Sequence, residues 1–384
     1  MAGGTEAAAP GRARTLLGFA AFGLFWGGWG AALPAVRAHA GVDDATLGLA
    51  LLCVGAGALL TMRPAGVVLD RHGARVLPIA MAIFGACAAL PALATSGPAL
   101  AAALLAVGAA SGAVDVAINA EGVRAEAASG RRLMSLAHAA FSATVVVASL
   151  LAGAARAAGA SVGAIFTAVA ILIVVAALAV IRLPAAQGRS APAAGGGLRG
   201  MLHVPAWLAV LGGLTALAYF IENAWQSWSA VHLEGTLGAA PALAAAGPAL
   251  FAAAAATGRL LGSAATRRVE DRALVRAGAV LAAAGTLVAA LAPVTALALA
   301  GIALAGLGTS VCAPVLIGLA GRHAEPAARA SAVSIVTTLA YFGFLVGPAA
   351  VGLAATALSL RAALGAVAGL ALLLAALVRL APAR

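Results

Sequence analysis

The chain contains no lysine: all 23 of its basic residues are arginine. A glycine-rich nucleotide loop of the lysine type is therefore impossible, and with it ATP-driven pumping by this chain. Charge of either sign is scarce, at 9% of residues against roughly a quarter in soluble domains. Cysteine is rarer still. Cys53, Cys87 and Cys312 lie within apolar stretches at no metal or redox spacing, so neither a metal nor a cofactor is expected. What remains is apolar, 64% of 384 residues. A soluble chain could not coat that much apolar surface, and large exposed patches aggregate. A bilayer removes the conflict. The abundant glycine and alanine suit helices that pack backbone to backbone in lipid, although a coding bias would leave the same trace.

The formal charge of +11 raises nucleic acid as a partner. The arginines lie between apolar stretches rather than in one patch, which excludes it. A signal peptide is the other alternative at the N-terminus. Arg12 and Arg14 precede an apolar run, and Ala38-His39-Ala40 mimics a cleavage site. That run nearly crosses a bilayer, whereas a signal core has roughly 7–15 residues. It reads as the first of twelve spans.

A crossing needs roughly 20 apolar residues. Six spans fall near 15–35, 45–69, 76–95, 99–121, 134–154 and 162–181. Six more fall near 206–231, 241–264, 274–292, 296–320, 331–355 and 360–380. With the N-terminus in the cytoplasm, eighteen arginines are cytoplasmic and three are not: Arg37, Arg156 and Arg361. Arg63 and Arg259 sit inside spans and are expected to snorkel outward. The asymmetry obeys the positive-inside rule, and one span more or fewer would scramble it. Stretch 182–200 is rich in Gly, Ala and Pro. It reads as a cytoplasmic linker between halves 1–181 and 201–384. The halves share a faint repeat: Arg63-Pro64-Ala65-Gly66 matches Arg259-Leu260-Leu261-Gly262.

Ionisable residues inside spans default to function because lipid makes them costly. Asp115 lies deep in span 4, with Asn119 one turn on along the same face. Desolvation raises a buried carboxylate's pKa into a useful range, so Asp115 is the first proton-carrier candidate. Packing against arginine or hydroxyls is the structural alternative. Span 7 holds Glu222, Asn223, Trp225, Gln226 and Trp228, a set suited to a hydroxylated or cyclic solute; an interfacial aromatic belt is its plainer reading. His138 and Ser142 share a face of span 5, and Trp26 and Trp29 lie three apart in span 1. Each pair lines a cavity or simply packs. Tyr341, Gly343, Gly347 and Pro348 read as a break in span 11, a bent helix of the sort that gates a cavity or simply packing.

Span 2 ends in Gly66-Val67-Val68-Leu69-Asp70-Arg71-His72-Gly73-Ala74-Arg75. This segment resembles the signature of the major facilitator superfamily between helices 2 and 3. The resemblance implies two six-helix bundles and a cytoplasmic latch. Gly66 would allow close helix approach, and Asp70 would meet a helix N-terminus or Arg124, with Arg71, Gly73 and Arg75 completing the turn. The equivalent second-half loop has Thr266 where Asp70 would align. Taken with Trp29-Gly30, Asp115-Val116-Ala117-Ile118-Asn119, Met134, His138, Phe141 and Ser142, the chain is similar to the YbjJ-like branch of that superfamily. Glu222, Trp228-Ser229, Gly258-Arg259, Tyr341-Phe342-Gly343 and Gly347-Pro348 extend the likeness into the second half. Ser227 departs from the aspartate expected there. The Asp115–Asn119 segment is also similar to the acidic motif of fucose permease-like proton symporters, which implies proton coupling at Asp115. Those symporters carry a second acid in span 1. Span 1 has none here, and Glu222 is the candidate substitute.

The expected protein is an all-α transporter of a bacterial inner membrane, working as a monomer with both termini cytoplasmic. Its partners are a small polar solute, protons and the bilayer. Proton-antiport efflux of amphiphiles and a non-transporting solute sensor are the alternatives. A membrane enzyme is disfavoured, because His138, Asp115 and Glu222 lie on three spans without catalytic spacing.

Overall fold

The structure is a computed structural model that describes residues 11–186, 204–266 and 268–382. Most of the expected linker, together with Arg189, Arg199, Arg267 and Arg384, lies outside the described residues.

Among the described residues, 11 helical stretches are long and apolar enough to cross a membrane. One of them, Asp44–Leu93, has 50 residues. At about 1.5 Å per residue it is far longer than a ~30 Å hydrocarbon core. It doubles back at Gly73, whose φ of 59° suits glycine and strains any other residue. The stretch is two spans, so the count is twelve.

The first bundle contains α1 (Arg12–Ala40), α2 (Asp44–His72), α3 (Val76–Ala88), α4 (Gly97–Ser129), α5 (Met134–Ala157) and α6 (Val162–Arg182). In the second, α7 (Ala206–Val231) is followed by α8 (Pro241–Ala244) and α9 (Ala246–Ala265), which form one span. Then come α10 (Asp271–Leu291), the broken span α11 (Thr295–Thr309) and α12 (Cys312–His323), α13 (Arg329–Ala357) and α14 (Leu360–Leu377). Span 10 is interrupted at Ser310 and Val311. Span 11 is one helix with Pro348 inside it.

With an even number of crossings both described ends share one face, termed here the terminal face; the other is the far face. Four of the helices that start at the far face are capped by side chains. The Asp43 carboxylate accepts from the Thr46 N–H at 2.8 Å, and Ser96, Ser161 and Ser359 cap α4, α6 and α14 in the same way. Each cap satisfies an N–H that lipid could not.

Packing inside each bundle relies on small residues. A Cβ on Gly108 of α4 would strike the Val54 carbonyl of α2. Outward faces are apolar: Ile171, Val175 and Leu178 of α6, at helical spacing, are each more than half exposed. Water would penalise that stripe; lipid does not.

The contacts described between the bundles gather at the far face. Gly48 of α2 packs against Pro348 and Ala349 of α13, and Gly153 of α5 against Ala242 and Ala245. The Ala45 N–H donates to Thr356 Oγ1 at 3.0 Å, and Arg156 pairs with Glu234 at 2.8 Å. Toward the terminal face Leu60 of α2 is 70% exposed and Gly66 has open space around it. The molecule is closed at the far face and parted at the terminal face. The close approach expected at Gly66 is absent in this conformation.

Candidate functional site

Asp115 projects from the middle of α4, half-buried. Its Oδ1 accepts from Asn119 Nδ2 at 3.1 Å, and the same amide donates to the Asp115 carbonyl at 2.8 Å. The i, i+4 spacing makes this contact automatic in a helix. Asp115 lies within electrostatic reach of His138 on α5 and of Tyr341 on α13. Among the described residues it takes part in no ion pair. His138 is exposed. Its Nδ1 donates to the Met134 carbonyl at 2.9 Å, and its ring rests 4.9 Å from that of Phe19. Ser142 is half-buried one turn further along α5.

Across the cleft, Glu222 of α7 is buried. Its Oε1 accepts from Arg259 Nη2 at 2.7 Å and from Gln226 Nε2 at 3.0 Å. Arg259 therefore does not snorkel. The Cα–Cβ bonds of α9 tilt toward its N-terminus, which is at the far face. The side chain is thus aimed at mid-membrane, where Glu222 waits, and 45% of it stays accessible. Tyr219 lies within reach of both charges and of Tyr341. His138, Asp115, Tyr341, Tyr219 and the Glu222–Arg259 pair are each within electrostatic reach of the next, a polar chain drawn from both bundles.

Other residues of span 7 are not gathered there. Trp225 is fully buried and donates its indole N–H to Thr286 Oγ1 on α10 at 3.0 Å. Trp228 is fully buried and donates to the Pro348 carbonyl at 3.1 Å. Asn223 is buried and donates to the Phe344 carbonyl of α13 at 2.5 Å. All three hold helices together and are closed to solute in this state. In the first bundle Trp29 is buried between Phe25 and Phe166, whereas Trp26 is half-buried beside Phe22 and Phe25.

The expected latch is also rearranged. Asp70, Arg71 and Arg75 are exposed on the terminal face. Arg124, the suggested partner of Asp70, pairs with Glu121 at 2.9 Å. Glu121 has no exposure at all and takes a second guanidinium, Arg14, at 2.8 Å. Arg14 donates further to the carbonyls of Val180, Leu183 and Ala74. One side chain thereby ties α1 to the end of α6 and to the turn after α2. Sequence reasoning missed this knot. Its faint signal is a glutamate three residues before an arginine, in a helix that outlasts its apolar span.

Twelve helices in two bundles around a polar-lined cleft, closed at one face, are the architecture of a multi-pass membrane transporter. The comparisons name the group. The chain is 34% identical over 370 residues to an uncharacterised MFS-type transporter of Yersinia pestis, covering 95% of this chain and 94% of that one. It belongs to the major facilitator superfamily, whose profile also matches residues 211–384. The nucleoside transporter NupG, solved as a point mutant, superposes with a TM-score of 0.83 at 15% identity, over 96% of this chain and 98% of that one. A bacterial homologue of the human lysosomal transporter Spinster, inward-facing and occupied, gives 0.79 at 16% identity, over 96% and 95%. At such identities the likeness is one of fold.

Proposed function

We propose that the chain is a proton-coupled secondary transporter of a small, hydroxyl-rich polar solute such as a sugar. The bundles 1–181 and 201–384, joined by linker 182–200, would rock about the cleft. The arginine asymmetry supports placing the terminal face in the cytoplasm of a bacterial inner membrane. The described state is then inward-facing.

The contrast between the two membrane carboxylates carries the proposal. Glu222 has a guanidinium at 2.7 Å. That carboxylate is tied to fixed partners, the Arg259 guanidinium and the Gln226 amide. Asp115 has an amide neighbour, and its position in the cleft gives it access to water from whichever side is open. Protonated and neutral, it crosses with solute; deprotonated, it resists burial. Asn119, Gln226, Tyr219 and Tyr341 supply donors and acceptors for hydroxyls, and Trp26 supplies a stacking face. Arg259 and Glu222 orient the solute, and Glu222 is the second candidate for proton coupling.

The test is external pH in de-energised, lightly buffered cells given pulses of sugars, nucleosides and small amphiphiles. Alkalinisation that Asp115→Asn abolishes is the expected result, with the variant still folded and inserted. Acidification would mean antiport and overturn the symport reading. Silence across the panel alongside saturable ligand binding would mark a sensor.

A further inference from the structure

Pro348 lies inside α13. In an α-helix the carbonyl of residue i accepts from the N–H of residue i+4. The carbonyl of Phe344 faces Pro348, which has no N–H to give. In lipid such an orphan has no water to turn to. Asn223 of α7 fills the gap: its Nδ2 lies 2.5 Å from the Phe344 oxygen. The amide is held in that orientation by Ser227, whose Oγ donates to Asn223 Oδ1 at 3.3 Å. One turn on, the Pro348 carbonyl accepts from Trp228 Nε1 at 3.1 Å.

The position of this repair within α13 matters. Tyr341, two turns before the proline, lies within electrostatic reach of Asp115. After the proline the helix forms the closed far face: Pro348, Ala349 and Gly352 pack on Gly48, and Thr356 accepts from Ala45. Pro348 separates the part of α13 that meets the polar chain from the part that seals the cleft. Gly343 and Gly347 bring that stretch onto Ala216 and Phe220 of α7.

We infer that Asn223 is a positioning residue: its amide replaces the hydrogen bond that Pro348 removes, and so holds the far-face half of α13 shut against α2. A kinked helix without that bond bends more freely. Loss of the amide then favours opening of the far face. The consequence for opening rests on the alternating-access reading, but the bond is tested without any substrate, so the two can fail separately.

The experiment is a double-mutant cycle in purified full-length protein in lipid nanodiscs, with the three cysteines replaced by alanine. Nitroxide labels at Val42→Cys and Leu358→Cys report the far-face distance by pulsed electron resonance. Asn223→Ala is expected to lower Tm by several degrees and to populate longer distances severalfold. Pro348→Ala restores an N–H to the Phe344 carbonyl. In that background Asn223→Ala should lose at least half of both effects. Equal effects in the two backgrounds, or a Tm loss with unchanged distances, would overturn the inference and leave Asn223 as ordinary packing. If Asn223→Ala alone does not fold, the Asn223→Ala/Pro348→Ala protein must fold; its failure also overturns the inference.

Discussion

Arg156 Nη2 lies 2.8 Å from Glu234 Oε1, an ion pair that joins the two bundles at the far face. Arg156 also donates to the Ala31 carbonyl of α1 at 2.9 Å, so one side chain of α5 fastens onto α1 and onto the turn after α7. The arginine is almost buried while the glutamate keeps 28% exposure, which places the pair between a surface bridge and a buried one. Arg156→Met should weaken far-face closure by about 1.4 kcal/mol, roughly tenfold in the open population. Labelling of Gln226→Cys in intact cells by an impermeant thiol reagent reads this directly. An unchanged labelling rate would mean that the apolar contacts of Gly48 and Gly153 close the face unaided.

Glu222 and Arg259 should behave as a unit. Glu222→Ala leaves a guanidinium partly buried without its counter-charge, and Arg259→Ala leaves a carboxylate so. Each is expected to cost about 2–4 kcal/mol of stability. The Glu222→Gln/Arg259→Gln protein has no net charge to strand and should recover at least half of that loss. Thermal unfolding in detergent measures the cycle. Strict additivity would show that the pair contributes nothing as a pair.

The buried knot at the terminal end of the first bundle is predicted to be the more severe site. Glu121→Ala removes the carboxylate that two buried guanidiniums share and should cost about 3–5 kcal/mol or prevent folding. Asp70→Asn, on an exposed side chain with no ion pair among the described residues, should leave Tm unchanged in this conformation. Its effect belongs to the rate of conversion between states. A large Tm drop from Asp70→Asn would contradict the geometry of the turn after α2.

Trp225→Phe should lower stability by about 1 kcal/mol, the net worth of a buried hydrogen bond, and leave the concentration dependence of transport alone. Trp26→Ala should shift the concentration dependence of transport. Flux against solute concentration for both variants distinguishes a residue that packs from one that meets solute.

The spans, their number and the Asp115–Asn119 pair are legible in the sequence because hydropathy and i, i+4 spacing are local. Span 7 shows where that legibility ends. Residues 222–228 cover nearly two helical turns, so they point in every direction. Glu222 and Gln226 share one face, where Glu222 meets Arg259; Asn223 and Ser227 share the next, where Asn223 meets α13; Trp225 points to α10. Composition alone cannot distribute polar residues among faces when every face of a helix is covered by another helix. The Arg14–Glu121 contact joins residues 107 apart. Neither position marks its partner, since charged residues at the end of a span are ordinary wherever water is near.

The lack of lysine acquires a practical meaning once the arginines are placed. Trypsin cuts only after lysine or arginine, and it needs several residues of extended chain around the bond. On the far face its candidates are Arg37 in α1, Arg156 in α5 and Arg361 in α14, each within a helix. Arg37 and Arg156 are also engaged with Asp44 and Glu234. That side of the molecule is closed to the protease, while the opposite side carries arginines throughout its connections. Digestion of sealed right-side-out cells should leave the chain whole, and digestion of inverted vesicles should cut it, giving its orientation in the membrane from two lanes of a gel.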